Sequence, residues 1–147
     1  MKILLIAPAT PNPAPSYFGP PYALALFGAM LQAEGHTVVA VDLSREEEPV
    51  MVAQLAALIE TERPSLVGIS CLGVNRGITV RAVRQLKAIS PEIKVIVGGA
   101  CPTVSADEFF ERSPVDFVCV GDGEHTLLEL VRALDAGEGA AGIAGLL

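Results

Sequence analysis

The sequence predicts a flavodoxin-like (Rossmann-like) α/β domain, a doubly wound sheet of five parallel strands in the order 2-1-3-4-5. Three observations predict it. Five short apolar, β-branched runs alternate with helical stretches along the chain. The runs are continuously apolar rather than alternating, as in strands covered on both faces. Pro64, Pro91 and Pro114 each stand just before a strand, where proline stops the preceding helix. Right-handed crossovers then leave the doubly wound order as the simplest arrangement, with the switch point between the first and third strands.

The predicted strands are Lys2–Ala7, Thr37–Asp42, Leu66–Ser70, Lys94–Gly98 and 116–120. The first helix, near 21–34, is almost wholly apolar and is expected to be deeply buried. Later helices are amphipathic, with Val52, Leu55 and Ile59 on one face, Val80, Val83 and Leu86 on another, and Leu127, Val131 and Leu134 on a third. These stripes read as core rather than cofactor contacts. Ser105-Ala106-Asp107-Glu108 reads as a capping box that starts a short helix after the fourth strand.

At 147 residues and 51% hydrophobic content the chain can bury a sizeable core as one domain, without disulfides or metal. The net charge of −7 disfavours nucleic acid, and five of the ten Lys and Arg residues fall between Arg76 and Lys94, as expected of an exposed helix face. Cys71, Cys101 and Cys119 are too few and too scattered for a disulfide framework or a CxxC metal site, which suggests a reducing, cytoplasmic setting. No stretch approaches the roughly 18 apolar residues of a membrane span, and the apolar start is shorter than a signal-peptide core. Past Ala136 the chain is rich in Gly and Ala and ends on Gly145-Leu146-Leu147. The expected division is a domain over 1–136 and, over 137–147, the start of a linker to a missing C-terminal domain.

Open parallel sheets bind ligands at the carboxyl ends of their strands. The loops 8–20, 71–75, 100–103 and 121–123 gather there. In the first, Pro8, Pro11, Pro13, Pro15, Pro20 and Pro21 surround Tyr17, Phe18 and Gly19, either to present aromatic surface over a ligand or to pack as a linker on the sheet edge or a partner. Ser70 can donate a hydrogen bond to a ligand or close its strand by bonding its own backbone, and Leu72 offers an apolar wall. Gly98-Gly99 can leave room for a bulky group or serve only a tight turn. In Gly121-Asp122-Gly123-Glu124 the start of the last helix can receive an anion or polar tail, or Asp122 simply caps it. His36 lies at the wrong edge and reads as structural. His125 has no companion at metal-ligand spacing and reads as a surface residue. Cys71 and Cys101 flank the site as small hydrophobes. No Ser, His and Asp order or carboxylate pair suggests catalysis in this chain.

Together these residues resemble the cobalamin-binding domain that precedes the catalytic domain in cobalamin-dependent radical S-adenosylmethionine enzymes. The resemblance covers nearly the whole chain. It rests on Pro20-Pro21, Gly35-His36, Val67-Gly68-Ile69-Ser70, Gly98-Gly99-Ala100-Cys101-Pro102-Thr103, and Val115-Asp116-Phe117-Val118 leading into Gly121-Asp122-Gly123-Glu124-His125-Thr126. Family members more often have Gly-Gly-Pro-His-Pro-Thr and Gly-Glu-Gly-Glu, so Ala100, Cys101 and Asp122 depart from the commoner pattern. The wider cobalamin-binding fold takes a lower cobalt ligand from an Asp-x-His-x-x-Gly motif after the first strand, and here that loop contains no histidine.

The resemblance implies base-off cobalamin with no protein histidine below cobalt. It places the nucleotide tail between the first and third strands, with Ser70 against the benzimidazole and Gly98 and Gly99 giving it room. Pro8, Tyr17, Phe18, Gly19 and Pro20 of the first loop, with Cys71, Leu72, Val74 and Asn75, would line the lower corrin face. Ala100, Pro102, Thr103, Gly121, Gly123 and Glu124 complete the expected cofactor contacts. A CxxxCxxC motif is absent, so S-adenosylmethionine and a 4Fe-4S cluster would belong to a missing C-terminal radical domain. The parent would be a carbon methyltransferase or a ring-forming cyclase such as that of anaerobic chlorophyll synthesis. The alternatives are a flavodoxin-like domain for another small ligand, or a protein-interaction module. A response-regulator receiver fits poorly, because Ala7, Ser70 and Val120 close strands where it needs Asp and Lys.

Overall fold

The computed structural model describes residues 1–11 and 21–147. Tyr17, Phe18, Gly19 and Pro20 therefore lie outside the described residues. In chain order the elements are β1 (Lys2–Ala7), α1 (Tyr22–Ala33), β2 (Thr37–Asp42), α2 (Glu48–Glu62), β3 (Leu66–Ser70), a single 3-10 turn (Gly73–Asn75), α3 (Arg76–Ile89), β4 (Lys94–Gly98), α4 (Ala100–Arg112), β5 (Phe117–Val118) and α5 (Gly123–Asp135). All neighbouring strands pair in parallel, in the order β2-β1-β3-β4-β5. The expected order and fold class are those observed.

Because side chains alternate across a strand, the apolar runs divide between two cores. Leu4, Ile6, Val67, Ile69, Val95 and Val97 face one side, where Met51 and Leu55 of α2, Val83 and Leu86 of α3 and Phe109 of α4 cover them. Ile3, Leu5, Leu66 and Ile96 face the other, under Leu24 and Leu31 of α1 and Leu127, Leu130 and Val131 of α5. Two helices thus cover the face that three cover on the opposite side, and the cavity described below opens on the sparser face.

Three expectations are corrected. The fifth strand spans only Phe117–Val118, with Cys119 in an isolated bridge beyond it. Helix α1 is not deeply buried: Leu24, Gly28 and Leu31 are, but Tyr22 is 76% exposed and Ala25 and Ala29 also face outward. Apolar composition overstated its burial, because one stripe suffices to dock it on the sheet. Helix α4 begins already at Ala100, and the non-helical Ser105 divides it, so that the part after Ser105 starts where expected while a first helical turn precedes it. Gly99, at φ 111°, turns the chain out of β4, and Pro102 falls in the first turn, where a missing N–H costs little. Ser105 (φ −149°, ψ 44°) forms the kink between the two parts, and its hydroxyl donates back to the Cys101 carbonyl at 2.9 Å.

The Gly- and Ala-rich segment 137–147, expected to begin a linker, packs back on the domain. Leu146 forms an antiparallel bridge with Cys119, and Val118 and Leu147 exchange two backbone hydrogen bonds of 3.0 Å. The Thr126 hydroxyl donates to the Ala144 carbonyl at 2.8 Å. At the opposite edge from the strand ends, His36 Nδ1 accepts from the Met1 amino group at 3.1 Å, in keeping with a structural role.

Candidate cofactor site

Strand register builds the site. At the carboxyl end of the sheet Ser70 lies level with Gly98, on the face that α1 and α5 cover. Two residues back, Leu5, Gly68 and Ile96 lie side by side. At about 3.3 Å per residue this second row is about 6.6 Å deeper. Three small residues in the middle of the sheet, Gly68, Ser70 and Gly98, hollow the face that Leu and Ile would otherwise fill. Leu24 and Phe27 of α1 and Leu127 of α5 roof the hollow. The result is a cavity of about 520 Å³, within the roughly 300–1,000 Å³ of small-molecule sites. Leu5 of β1, Gly68 and Ser70 of β3, and Ile96 and Gly98 of β4 all line it.

The glycines differ in what they do. A Cβ on Gly68 would stand 2.9 Å from Leu5 Cδ2, and one on Gly98 would meet only Cys119 Cβ, at 3.4 Å. Gly98 therefore keeps space open. A Cβ on Gly99 would stand 2.7 Å from the Cys71 carbonyl oxygen, and its φ of 111° is unfavourable to any side chain. Gly99 lines the cavity, but the backbone crossing behind it is what demands glycine: Cys71 N–H donates to the Gly98 carbonyl at 2.7 Å, and Cys101 N–H to the Cys71 carbonyl at 3.2 Å. Gly123 lets the Phe27 ring reach across from α1, since a Cβ there would lie 3.2 Å from Phe27 Cζ.

Of the residues expected at the site, the structure brings Ser70, Gly98, Gly99, Ala100, Thr103, Gly121, Gly123 and Glu124 around the cavity. Among the described residues the Ser70 hydroxyl has no hydrogen-bond partner, so it does not close the strand on its own backbone. The Thr103 hydroxyl donates to the Gly99 carbonyl at 2.9 Å and accepts from the Gly121 N–H at 3.1 Å. Asp122 occupies the N-cap position of α5, but its carboxylate makes no capping hydrogen bond.

Pro8, Cys71, Leu72, Val74, Asn75 and Pro102 do not line the cavity. Pro8 and Pro102 are buried, and Cys71 packs into the core on the far face of the sheet, where burial pushes its thiol up to about 12. Asn75 is also buried, its Oδ1 accepting from the Leu72 N–H at 2.8 Å. That bond holds the 71–75 loop so that Leu72 and Val74 stand 38% and 60% exposed at the strand-end edge. Reasoning from the sequence missed Leu5, Leu24, Phe27, Gly68, Ile96, Cys119 and Leu127, all of which line the cavity. Leu127 is both core and cavity wall, so its stripe is not only core. A glycine inside a strand, Gly68, was the available signal of close approach.

Among the described residues no cluster of His, Cys, Asp and Glu could hold a metal ion, and no helix is long and apolar enough to cross a membrane. His125 is exposed at the start of α5.

A doubly wound parallel sheet, hollowed at its strand ends into a mostly apolar slot where the Ser70 hydroxyl is unpartnered among the described residues, defines a small-molecule-binding α/β domain. Residues 14–131 match the B12 binding domain, and the chain belongs to that family, with cobalamin as its ligand. It is 31% identical over 150 residues to an uncharacterized methyltransferase of Pyrococcus horikoshii, covering 99% of this chain and 32% of that protein. It is 29% identical over 143 residues to the anaerobic magnesium-protoporphyrin IX monomethyl ester cyclase of Rubrivivax gelatinosus, covering 93% of this chain and 25% of that one. Among solved structures, the radical S-adenosylmethionine methyltransferase TsrM of Kitasatospora setae, with cobalamin and a 4Fe-4S cluster bound, superposes with a TM-score of 0.81 at 24% identity, covering 99% of this chain and 26% of that one. The cobalamin-dependent radical enzyme OxsB, with aqua-cobalamin and S-adenosylmethionine bound, gives 0.81 at 17% identity, covering 99% of this chain and 20% of that one. These two superpositions speak to the fold. The chain spans about a third or less of the length of each relative.

Proposed function

We propose that this domain holds cobalamin base-off, with the nucleotide tail in the cavity between α1 and α5, for a radical S-adenosylmethionine enzyme. The observation that carries the reading is the cavity lined by the small residues Gly68, Ser70 and Gly98, where a Cβ on Gly98 would meet only Cys119 Cβ, at 3.4 Å. The Ser70 hydroxyl, unpartnered among the described residues, is the group for a nitrogen of the lower base. Leu72 and Val74, exposed at the same edge, offer hydrocarbon to the underside of the corrin ring. Bound cobalamin would supply a cobalt centre able to carry a methyl group or exchange electrons.

This chain's own contribution is to hold and orient. The loop 8–20 contains no histidine, and both histidines of the chain lie elsewhere, which supports cobalt without a protein ligand below it. S-adenosylmethionine and a 4Fe-4S cluster are assigned to a C-terminal domain of a longer parent, a methyltransferase or a cyclase, as the lengths and names of the relatives suggest. Three free, buried thiols support a reducing, cytoplasmic setting.

A visible-absorbance titration with hydroxocobalamin tests the reading, with circular dichroism to show that each protein is folded. Saturable binding with a base-off spectrum is expected, weakened at least tenfold in Ser70→Leu and Gly98→Val. Unchanged binding in both variants would remove the tail from this cavity. No binding to the folded chain would remove cobalamin altogether.

A further inference from the structure

The cavity changes chemistry with depth. Its polar side chains stand at the mouth: Ser70 ends β3, Thr103 lies in the first turns of α4, and Asp122 and Glu124 lie where α5 begins. The deeper row is Leu5, Gly68 and Ile96, and Leu24, Phe27 and Leu127 close over it. None of these six side chains carries a nitrogen or oxygen. Backbone groups offer little more, because β3 is paired on both sides along this row, Leu24 N–H donates to the Pro21 carbonyl at 3.0 Å, and Phe27 and Leu127 sit a turn inside their helices. Cys119 does not alter this, since Ile96 pairs with Phe117 and Val97 with Val118, which places its thiol level with the mouth at Gly98.

Resting on the proposed function, we infer that this cavity selects among corrinoids by their lower base, taking a benzimidazole in preference to adenine. Both bases are flat and of similar size, and both can offer an imidazole nitrogen to Ser70. They differ in the second ring. The benzimidazole ring carries only carbon there, whereas adenine carries ring nitrogens and an exocyclic amine. Past Ser70 those polar groups exchange water for Leu5, Ile96, Leu127 and Phe27 and find no partner. An unpaired buried donor or acceptor weakens binding by about ten- to hundredfold. Ile96 is the position at which the preference is most simply altered, since it flanks Gly68 and a threonine there keeps β-branching while adding a hydroxyl.

The test titrates the 147-residue chain with hydroxocobalamin, with its adenine-containing analogue, and with cobinamide, which lacks the nucleotide. Cobalamin is expected to bind about ten- to hundredfold more tightly than the adenine analogue, and Ile96→Thr, folded by circular dichroism, is expected to narrow that ratio. Equal affinity for the two bases, both above cobinamide, would overturn the selectivity and leave the proposed function standing. Equal affinity for cobalamin and cobinamide would show that the base does not use the cavity, and would overturn it as well. An unchanged ratio in folded Ile96→Thr would overturn the role of the deep row. Failure of every corrinoid to bind the folded chain would instead sink the proposed function itself.

Discussion

The Thr103 hydroxyl stands between two loops: it accepts the Gly121 N–H at 3.1 Å while donating to the Gly99 carbonyl at 2.9 Å. One side chain thus ties the end of β4 to the turn before α5 across the cavity mouth. Thr103→Val removes both bonds with little change of shape. It is expected to cost about 1 kcal/mol of stability and to weaken cobalamin binding several-fold, with Thr103→Ser restoring both in the same titration. Wild-type binding in Thr103→Val would show that the tie does not shape the mouth.

Gly98 and Gly99 are adjacent yet make opposite predictions. Gly99→Ala forces a side chain into φ 111° and against the Cys71 carbonyl, and should cost about 2 kcal/mol or more in urea unfolding. Gly98→Ala meets only Cys119 Cβ, at 3.4 Å. It should stay within about 1 kcal/mol of wild type while losing cobalamin affinity. Equal stabilities for the two variants would contradict the division between a fold glycine and a site glycine.

Asp116 tests the electrostatics of the edge opposite the site. Burial by itself would raise its pKa, but hydrogen bonds from Lys87, from the Val95 N–H and from Lys94 outweigh it and hold the carboxyl below its ordinary 3.8. Lys87 Nζ lies 2.6 Å and Lys94 Nζ 3.1 Å from its oxygens. A depressed folded pKa gives stability that is present above the unfolded value and lost as pH falls through the folded one. Asp116→Asn should therefore lose about 1–2 kcal/mol at pH 7, and the difference should shrink below pH 3.8. Urea unfolding at both pH values reads this out, and cobalamin affinity should not change.

Segment 137–147 shields the edge of β5 and anchors α5 through Thr126 and Ala144. Deleting it unpairs Val118 and Val120, and should lower stability by about 2 kcal/mol, or about 4–8 °C in Tm. Exposure of a strand edge should also promote self-association, visible by light scattering. An unchanged Tm would make the segment a passive tail.

The strand order could be read from the chain because each strand is a continuous apolar run bounded by proline or glycine, a local signal. Ser70, Gly98 and Gly99 were legible for a similar reason, since they sit at predicted strand ends. Gly68, Ile96 and Leu5 were not, because their meeting in one row depends on register between three strands, which no local pattern encodes. Leu127 was read only as core, since helical periodicity marks an inward face without saying whether that face meets side chains or a hollow. The exposure of α1 escaped for a related reason: its outward residues include alanines, which are apolar by composition yet cost little in water. The capping pattern of Ser105 and Glu108 marks the kink inside α4, but not the helical turn before it, which starts five residues earlier at Ala100 because Gly99 turns the chain there.

The most direct test is the electron paramagnetic resonance spectrum of cob(II)alamin bound to this chain. Nitrogen below cobalt splits each cobalt line into three through its nuclear spin, whether it comes from the cofactor's own base or from histidine. The account predicts no such splitting in the wild-type complex, because the base lies in the cavity beside Ser70 and no histidine replaces it. A spectrum with nitrogen splitting would contradict the account, since it would leave the base on cobalt or place a histidine below it.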